Sequence, residues 1–273
     1  MKGEIIFKMS GSGNDFVFAD GRALPLEHWT PERIREICAR GTGVGADGFA
    51  VLEPGSQTGH VRFHFFNNNG SRAEMCGNGA LCATRLAAWL ELAPPEGMIL
   101  ATDSGPVSSR CLEGEGELAE IEVAVPEGFT VPDIPLGHGE QSMWLTVVGV
   151  PHLVVVVDDL REVQLAVRGR ELRSHPAIGP AGANVNFIAN GDAEWAMRTY
   201  ERGVEAETLA CGTGAVASAT GLAREGLVTL PCSFRTATGF ELKVEAKMTD
   251  RGEFESAKLI GQGRLVYRAV LGI

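Results

Sequence analysis

The chain carries the same short pattern twice, half a chain length apart. "HFFNNNGSRAEMCGNGALCATRLAAWL" (His64 to Leu90) lies over "MRTYERGVEAETLACGTGAVASATGLARE" (Met197 to Glu225). Each copy runs from strand-like residues through a polar corner and an acidic turn into Cys-Gly-X-Gly-Ala and a small-residue helical run. Cys76 and Cys211 are 135 residues apart in a chain of 273. Upstream, "MSGSGNDFVFAD" and "LTVVGVPHLVVVVDD" match as strand, glycine turn, polar residue and strand, with Gly13 and Gly149 136 residues apart. Two motifs in one order at nearly one offset imply a duplicated domain. Both halves must therefore solve the same problem, which is to bury a small-residue helix.

Within each half, strand signals dominate. "GEIIFKMS", "DFVFAD", "GFAVLEP", "VRFHFFN", "MILATDSGPV" and "AEIEVAV" are short β-rich runs bounded by Gly, Pro, Asn or Asp. The second half offers "WLTVVGV", "HLVVVVDD", "VNFIAN", "WAMRTYE", "CSFRTATG" and "ELKVEA". Helices are fewer. "TPERIREICAR" opens with Thr30 as N-cap and Pro31 at the first helical position, and the runs after Cys76 and Cys211 are helices suited to burial. The prediction is an α+β fold of two pseudo-symmetric duplicated domains, each a curved, mostly antiparallel sheet or barrel around a central helix. Residues 1–122 and 123–262 form the two halves, joined at the Pro/Gly-rich link "VAVPEGFTVPDIP".

The net charge of −11, with neither Lys nor Arg clustered, argues against a nucleic-acid or anionic-membrane surface. The most apolar stretch, Met143 to Val157, is broken by Gly149, Pro151 and His152, and reads as buried strand and turn. No secretory signal is read at the N-terminus. The six cysteines (38, 76, 82, 111, 211, 232) are scattered, so reduced thiols in a cytoplasm are expected, not a disulfide framework.

In both copies a cysteine stands where a glycine loop turns into a helix. Unpaired N–H groups and the positive end of the helix dipole collect there, lowering a thiol's pKa and offering donors to a carboxylate. If the duplication carries a twofold relation, the two helix starts present one thiol on each side of a bound molecule. A thiolate opposite a thiol can remove a proton from one face of a carbon and deliver one to the other. The implied reaction is stereoinversion.

The residues then carry a resemblance. "GSGNDF" (Gly11 to Phe16), "GVGADG" (Gly43 to Gly48), "FNNNGSRAEMCGNG" (Phe66 to Gly79), "GVPH" (Gly149 to His152), "NVNF" (Asn184 to Phe187), "YERG" (Tyr200 to Gly203) and "ACGTGA" (Ala210 to Ala215) resemble the diaminopimelate epimerase family, in its order and over the whole chain. The resemblance implies two similar domains, each with strands wrapped round a central helix, and a C-terminal strand, 263–273, returning to the first. It implies cofactor-free interconversion of LL- and meso-diaminopimelate for lysine and peptidoglycan precursors, by a cytoplasmic enzyme with a small-molecule substrate and a possible homodimeric assembly. Cys76 and Cys211 match the two acid/base thiols, and His152 and Glu201 match groups that help them exchange protons. Asn14, Asn67, Asn184, Glu201 and Arg202 match substrate-contacting residues, with Arg202 suited to the distal carboxylate. Gly77, Asn78, Gly212 and Thr213 match the amide loops that hold the carboxylate at the reacting carbon. The chain departs from the family pattern at Val150, where many members have Asn, at Leu81, where a small residue is commonly followed by Arg, and in "GVEAET", one residue longer than the usual "GxGET".

Other readings are weaker. "GVGADG" satisfies a dinucleotide-binding pattern but follows a helix and leads into a strand, the reverse of the required context. No metal-ligand cluster or pyridoxal-lysine context is visible, and neither a metal nor a cofactor is expected. Proline racemase relatives typically carry His where this chain has Asn78. A redox dithiol protein would be expected to show a C-x-x-C motif, and a non-catalytic amino-acid-binding protein would not need the paired thiols.

Overall fold

A computed structural model describes residues 3–112, 114, 116–191 and 194–272. It divides into two compact units, Met1–Ile121 with Gly261–Ile273, and Glu122–Ile260.

The first unit contains β1 (Glu4–Gly11), β2 (Asn14–Asp20), α1 (Pro31–Cys38), β3 (Gly48–Pro54), β4 (His60–Asn67), β5 (Arg72–Ala73), α2 (Gly77–Trp89), β6 (Met98–Thr102), β7 (Gly105–Cys111) and most of β8 (Leu118–Val123). In the second lie β9 (Glu127–Thr130), β10 (Glu140–Val148), β11 (Val150–Val157), α3 (Leu165–Arg173), β12 (Asn184–Asn190), β13 (Trp195–Glu201), β14 (Ala206–Thr208), α4 (Gly212–Arg224), β15 (Cys232–Arg235), β16 (Glu241–Met248) and most of β17 (Phe254–Gln262). Finally β18 (Arg264–Leu271) pairs antiparallel with β1 in the first unit.

The two units have the same connectivity. β1 pairs antiparallel with β2, β2 parallel with β3, β3 antiparallel with β4, β4 parallel with β6, and β6 antiparallel with β7. β10, β11, β12, β13, β15 and β16 repeat that series of pairings in order. Short β5 and β14 flank β4 and β13, each just before the inner helix. The architecture is thus the expected mostly-sheet α+β duplication.

Burial explains the helix composition. α2 and α4 are each thirteen residues long and built of Gly, Ala, Ser and Thr with few large side chains. α2 touches β1, β3, β4, β6, β7 and β18, and α4 touches β10, β11, β12, β15 and β16, so strands approach each helix from several sides. A helix buried this way carries no polar stripe. Its hydroxyls turn inward on their own backbone: Thr84 Oγ1 donates to Ala80 O, Ser218 Oγ to Gly214 O and Thr220 Oγ1 to Val216 O. The other helices form an outer layer, α1 through Ile34 and Ile37 against Val17, Phe49 and Val51, and α3 through Leu165 and Leu172 against Val185, Phe187 and Tyr200.

Local details differ from the sequence reading. "MILATDSGPV" is not one strand but the β6–β7 hairpin, closed by Thr102 paired with Gly105. The link after residue 122 contains a strand, β9, because the edge of β10 is available to pair with it. α3 carries no start signal in the sequence; its N-cap, Gln164, makes no side-chain cap bond, and the segment is held by packing.

Candidate functional site

Cys76 and Cys211 occupy the same structural position in their units. Each is the N-cap of the inner helix, in extended backbone conformation at φ −137°, ψ 119° and φ −133°, ψ 103°. Neither helix has a side-chain cap, and the first intrahelical bonds run from Ala80 N to Cys76 O and from Ala215 N to Cys211 O. The amides of Gly77, Asn78 and Gly79, and of Gly212, Thr213 and Gly214, therefore have no carbonyl partner within their helices. Cys211 is buried and lies 3.8 Å from Thr213 Oγ1, whereas Cys76 is half-buried.

In the first unit the start of α2 is tied to β2. Asn78 Nδ2 donates to Asn14 Oδ1 at 2.8 Å, and Asn14 Nδ2 donates to Asp47 Oδ2 at 2.9 Å. A carboxylate only accepts, so Asp47 fixes which way the Asn14 amide points. Asp47 is fixed in turn by Arg40, which also pairs with Asp15, and Asp15 pairs with the buried Lys8 at 2.5 Å. Burial pushes the Asp15 carboxyl up, but Arg40 and Lys8 outweigh it and hold the group below its ordinary range. Asn14 and Asn78 thus belong to one polar network with the helix start. Asn67 stands apart from that network, exposed at the end of β4, where its amide donates to Ser71 Oγ. Cys82 is a packing thiol. Burial, with the charge of Cys76 adding to it, drives its pKa well above the ordinary value.

The second unit gathers a different set. His152 on β11 is fully buried, and burial, reinforced by the Arg202 cation, pushes its pKa down to about 3. Its imidazole is neutral at physiological pH. Asn184 Oδ1, in register with His152 on the neighbouring strand, accepts the Arg202 backbone N–H at 2.9 Å, and the Arg202 guanidinium donates to Ala181 O. Glu201 ends β13, half-buried and paired in register with Ala206 of β14. Val150 begins β11, directly after the Gly149 hairpin at φ 69°.

Three polar residues behind these sites were not singled out from the sequence as functional. Lys8 and Asp47 anchor the first, and Asn186, whose amide meets His152, anchors the second. Asp47 lies within "GVGADG" and Asn186 within "NVNF", so the motifs pointed to them while leaving their partners undefined.

A family model described as Diaminopimelate epimerase matches residues 6–125 and 145–258, one segment in each repeat. The chain belongs to the diaminopimelate epimerase family. Membership makes it an isomerase of the epimerase type. The chain is 42% identical over 272 residues to the diaminopimelate epimerase of Gemmatimonas aurantiaca, covering 96% of each, and 37% identical over 250 residues to that of Aquifex aeolicus, covering 88% of each. Solved structures extend the fold further. A phenazine biosynthesis protein of the PhzF family from Bacillus anthracis superposes with TM-score 0.79 at 15% identity over the whole of both chains. A probable proline racemase from Agrobacterium radiobacter gives 0.68 at 17%, covering 99% of this chain and 93% of its own. These distant likenesses carry the same fold into proteins with other names, so chemistry must be argued from the site.

Proposed function

We propose that this protein interconverts LL- and meso-diaminopimelate without a cofactor, with Cys76 and Cys211 as the two acid/base groups. The carrying observation is the repeated helix start: each cysteine is the N-cap of a buried helix, and its own side chain makes no cap bond to that helix. The first-turn amides and the helix dipole favour an anion, so each start can hold thiolate character and stabilise the charge that develops on the carboxylate at the reacting carbon. Inversion needs a proton acceptor and a proton donor on opposite faces of that carbon, and each unit supplies one thiol. In this reading Gly77, Asn78, Gly212 and Thr213 serve the proximal carboxylate and Arg202 the distal one. Asn14, Asn67 and Asn184 complete the polar contacts, while His152 and Glu201 assist proton exchange at the thiols. Reduced thiols suit a cytoplasmic setting, and the acidic surface suits a small-molecule substrate with no polyanionic partner.

The test is epimerisation of LL-diaminopimelate in D2O without added cofactor. Because the donating thiol carries a solvent-exchanged proton, early product should be deuterated at the inverted carbon while recovered substrate stays protiated. Cys76→Ala and Cys211→Ala should each reduce the rate by roughly 10² to 10⁴-fold or more while remaining folded. Folded single mutants with most of the rate, or early substrate deuterated as fully as product, would refute the two-thiol assignment.

A further inference from the structure

Asn186, the second asparagine of "NVNF", sits on β12 with no solvent exposure. Its side chain makes a set of contacts whose chemistry leaves one orientation. Nδ2 lies 3.4 Å from Leu153 O, and a backbone carbonyl only accepts, so the NH2 end must face that way. The same Nδ2 lies 3.2 Å from His152 Nδ1. Oδ1 accepts from Thr199 Oγ1 at 3.0 Å on the neighbouring strand. His152 Nδ1 therefore receives a hydrogen bond and bears the lone pair, which leaves the ring proton on Nε2. That Nε2 is buried and meets no hydrogen-bond partner among the described residues.

We propose that Asn186 is a positioning residue that holds His152 as the neutral Nε2–H tautomer, so that His152 presents a hydrogen-bond donor, not a base, to an acceptor arriving at the site. Only the catalytic consequence rests on the epimerase reading. There, His152 stabilises a thiolate or a substrate oxygen by donation and leaves proton removal to the thiols. The same amide is keyed to α4. A Cβ on Gly214 would fall 2.1 Å from Asn186 Oδ1 and 3.1 Å from Cys211 Sγ. The glycine thus lets the Asn186 amide and the Cys211 thiol share one turn of helix, linking the ring's orientation to the position of the thiol. The neutral state agrees with the burial of His152 beside Arg202.

The experiment is nitrogen NMR of the full chain labelled at histidine, with the His152 signals assigned by their loss in His152→Gln. At pH 7 the wild type should show a proton-bearing Nε2 and an unprotonated Nδ1. A proton on Nδ1, or an imidazolium, overturns the proposal without recourse to any variant. Asn186→Asp replaces the donor at Nδ1 by an acceptor of the same shape. It should move the proton to Nδ1 or trap the imidazolium, and lower kcat by roughly tenfold or more with KM within twofold, as for a group that handles charge in the transition state. An Asp variant that retains the wild-type tautomer or the wild-type kcat also overturns it. If diaminopimelate is not the substrate but the Nε2–H tautomer is found, the substrate reading alone fails.

Discussion

Gly79→Ala and Gly214→Ala make the same change at equivalent positions, the third residue of each inner helix, and should have very unequal consequences. Neither glycine needs a positive φ, so on propensity alone each alanine stabilises its helix by about 1 kcal/mol. At Gly79 the new Cβ meets Phe65 Cε2 at 3.2 Å and Cys76 Cβ at 3.4 Å, contacts that a shift of a few tenths of an ångström relieves. At Gly214 it falls 2.1 Å from Asn186 Oδ1 and 2.9 Å from its Cγ, so a fully buried amide must retreat by about 1 Å or more to reach ordinary contact. That retreat breaks the bonds to Thr199 and His152 in a site closed to water, at about 1–3 kcal/mol for polar groups left unsatisfied. Overpacking costs a further ~1–3 kcal/mol, against which the propensity gain is small. Gly214→Ala should therefore be destabilised by about 2–4 kcal/mol, and Gly79→Ala should stay within about 1 kcal/mol of wild type. Urea unfolding followed by circular dichroism measures both, with the epimerisation rate read on the folded fraction. A Gly214→Ala protein as stable and as active as the wild type would refute the view that Asn186 is wedged against the start of α4.

Other perturbations separate the remaining groups. The His152 pKa lies near 3 when folded against 6.5 when unfolded, so the unfolded chain takes up a proton that the native state refuses. Stability is complete above pH 6.5 and falls as pH drops toward 3, by about 2 kcal/mol between pH 7 and pH 5, and His152→Gln should flatten that segment of the stability profile. Asp47→Ala frees the Asn14 amide while removing a pair to Arg40 that is largely solvent-exposed. It should change stability by about 1 kcal/mol yet lower kcat/KM by roughly tenfold or more, as initial rates would show. Cys82→Ala should keep most of the epimerase activity and lose about 1 kcal/mol or more in thermal unfolding, since it removes only a packing thiol; loss of activity in a folded Cys82→Ala would mean that the wrong cysteines have been chosen. Lysine, which lacks the distal carboxylate, should be a very poor substrate, and racemisation of lysine as fast as diaminopimelate would exclude the role given to Arg202.

The duplication, the mostly-sheet α+β class and the helix starts at Cys76 and Cys211 were legible because their signals are local. A glycine loop before a small-residue run, Thr30-Pro31 at the head of α1, and β-rich runs cut by Gly149 each act within a few residues. α3 and β9 were not legible, since neither carries its own start signal. α3 is held by packing on β12 and β13, and β9 by pairing along β10. The network behind each candidate site was decided by the tertiary structure alone. Asn14 finds Asp47 across 33 residues, Lys8 finds Gly45 across 37, and Asn186 finds His152 across 34. Such partners are chosen by strand register and by which face of a sheet is buried, quantities that exist only after distant segments have paired. Sequence alone determined where each thiol meets a helix. Whether a histidine beside that helix offers a proton or a lone pair depends on an amide brought to it by the fold, because a tautomer is set by the neighbour and not by the residue itself.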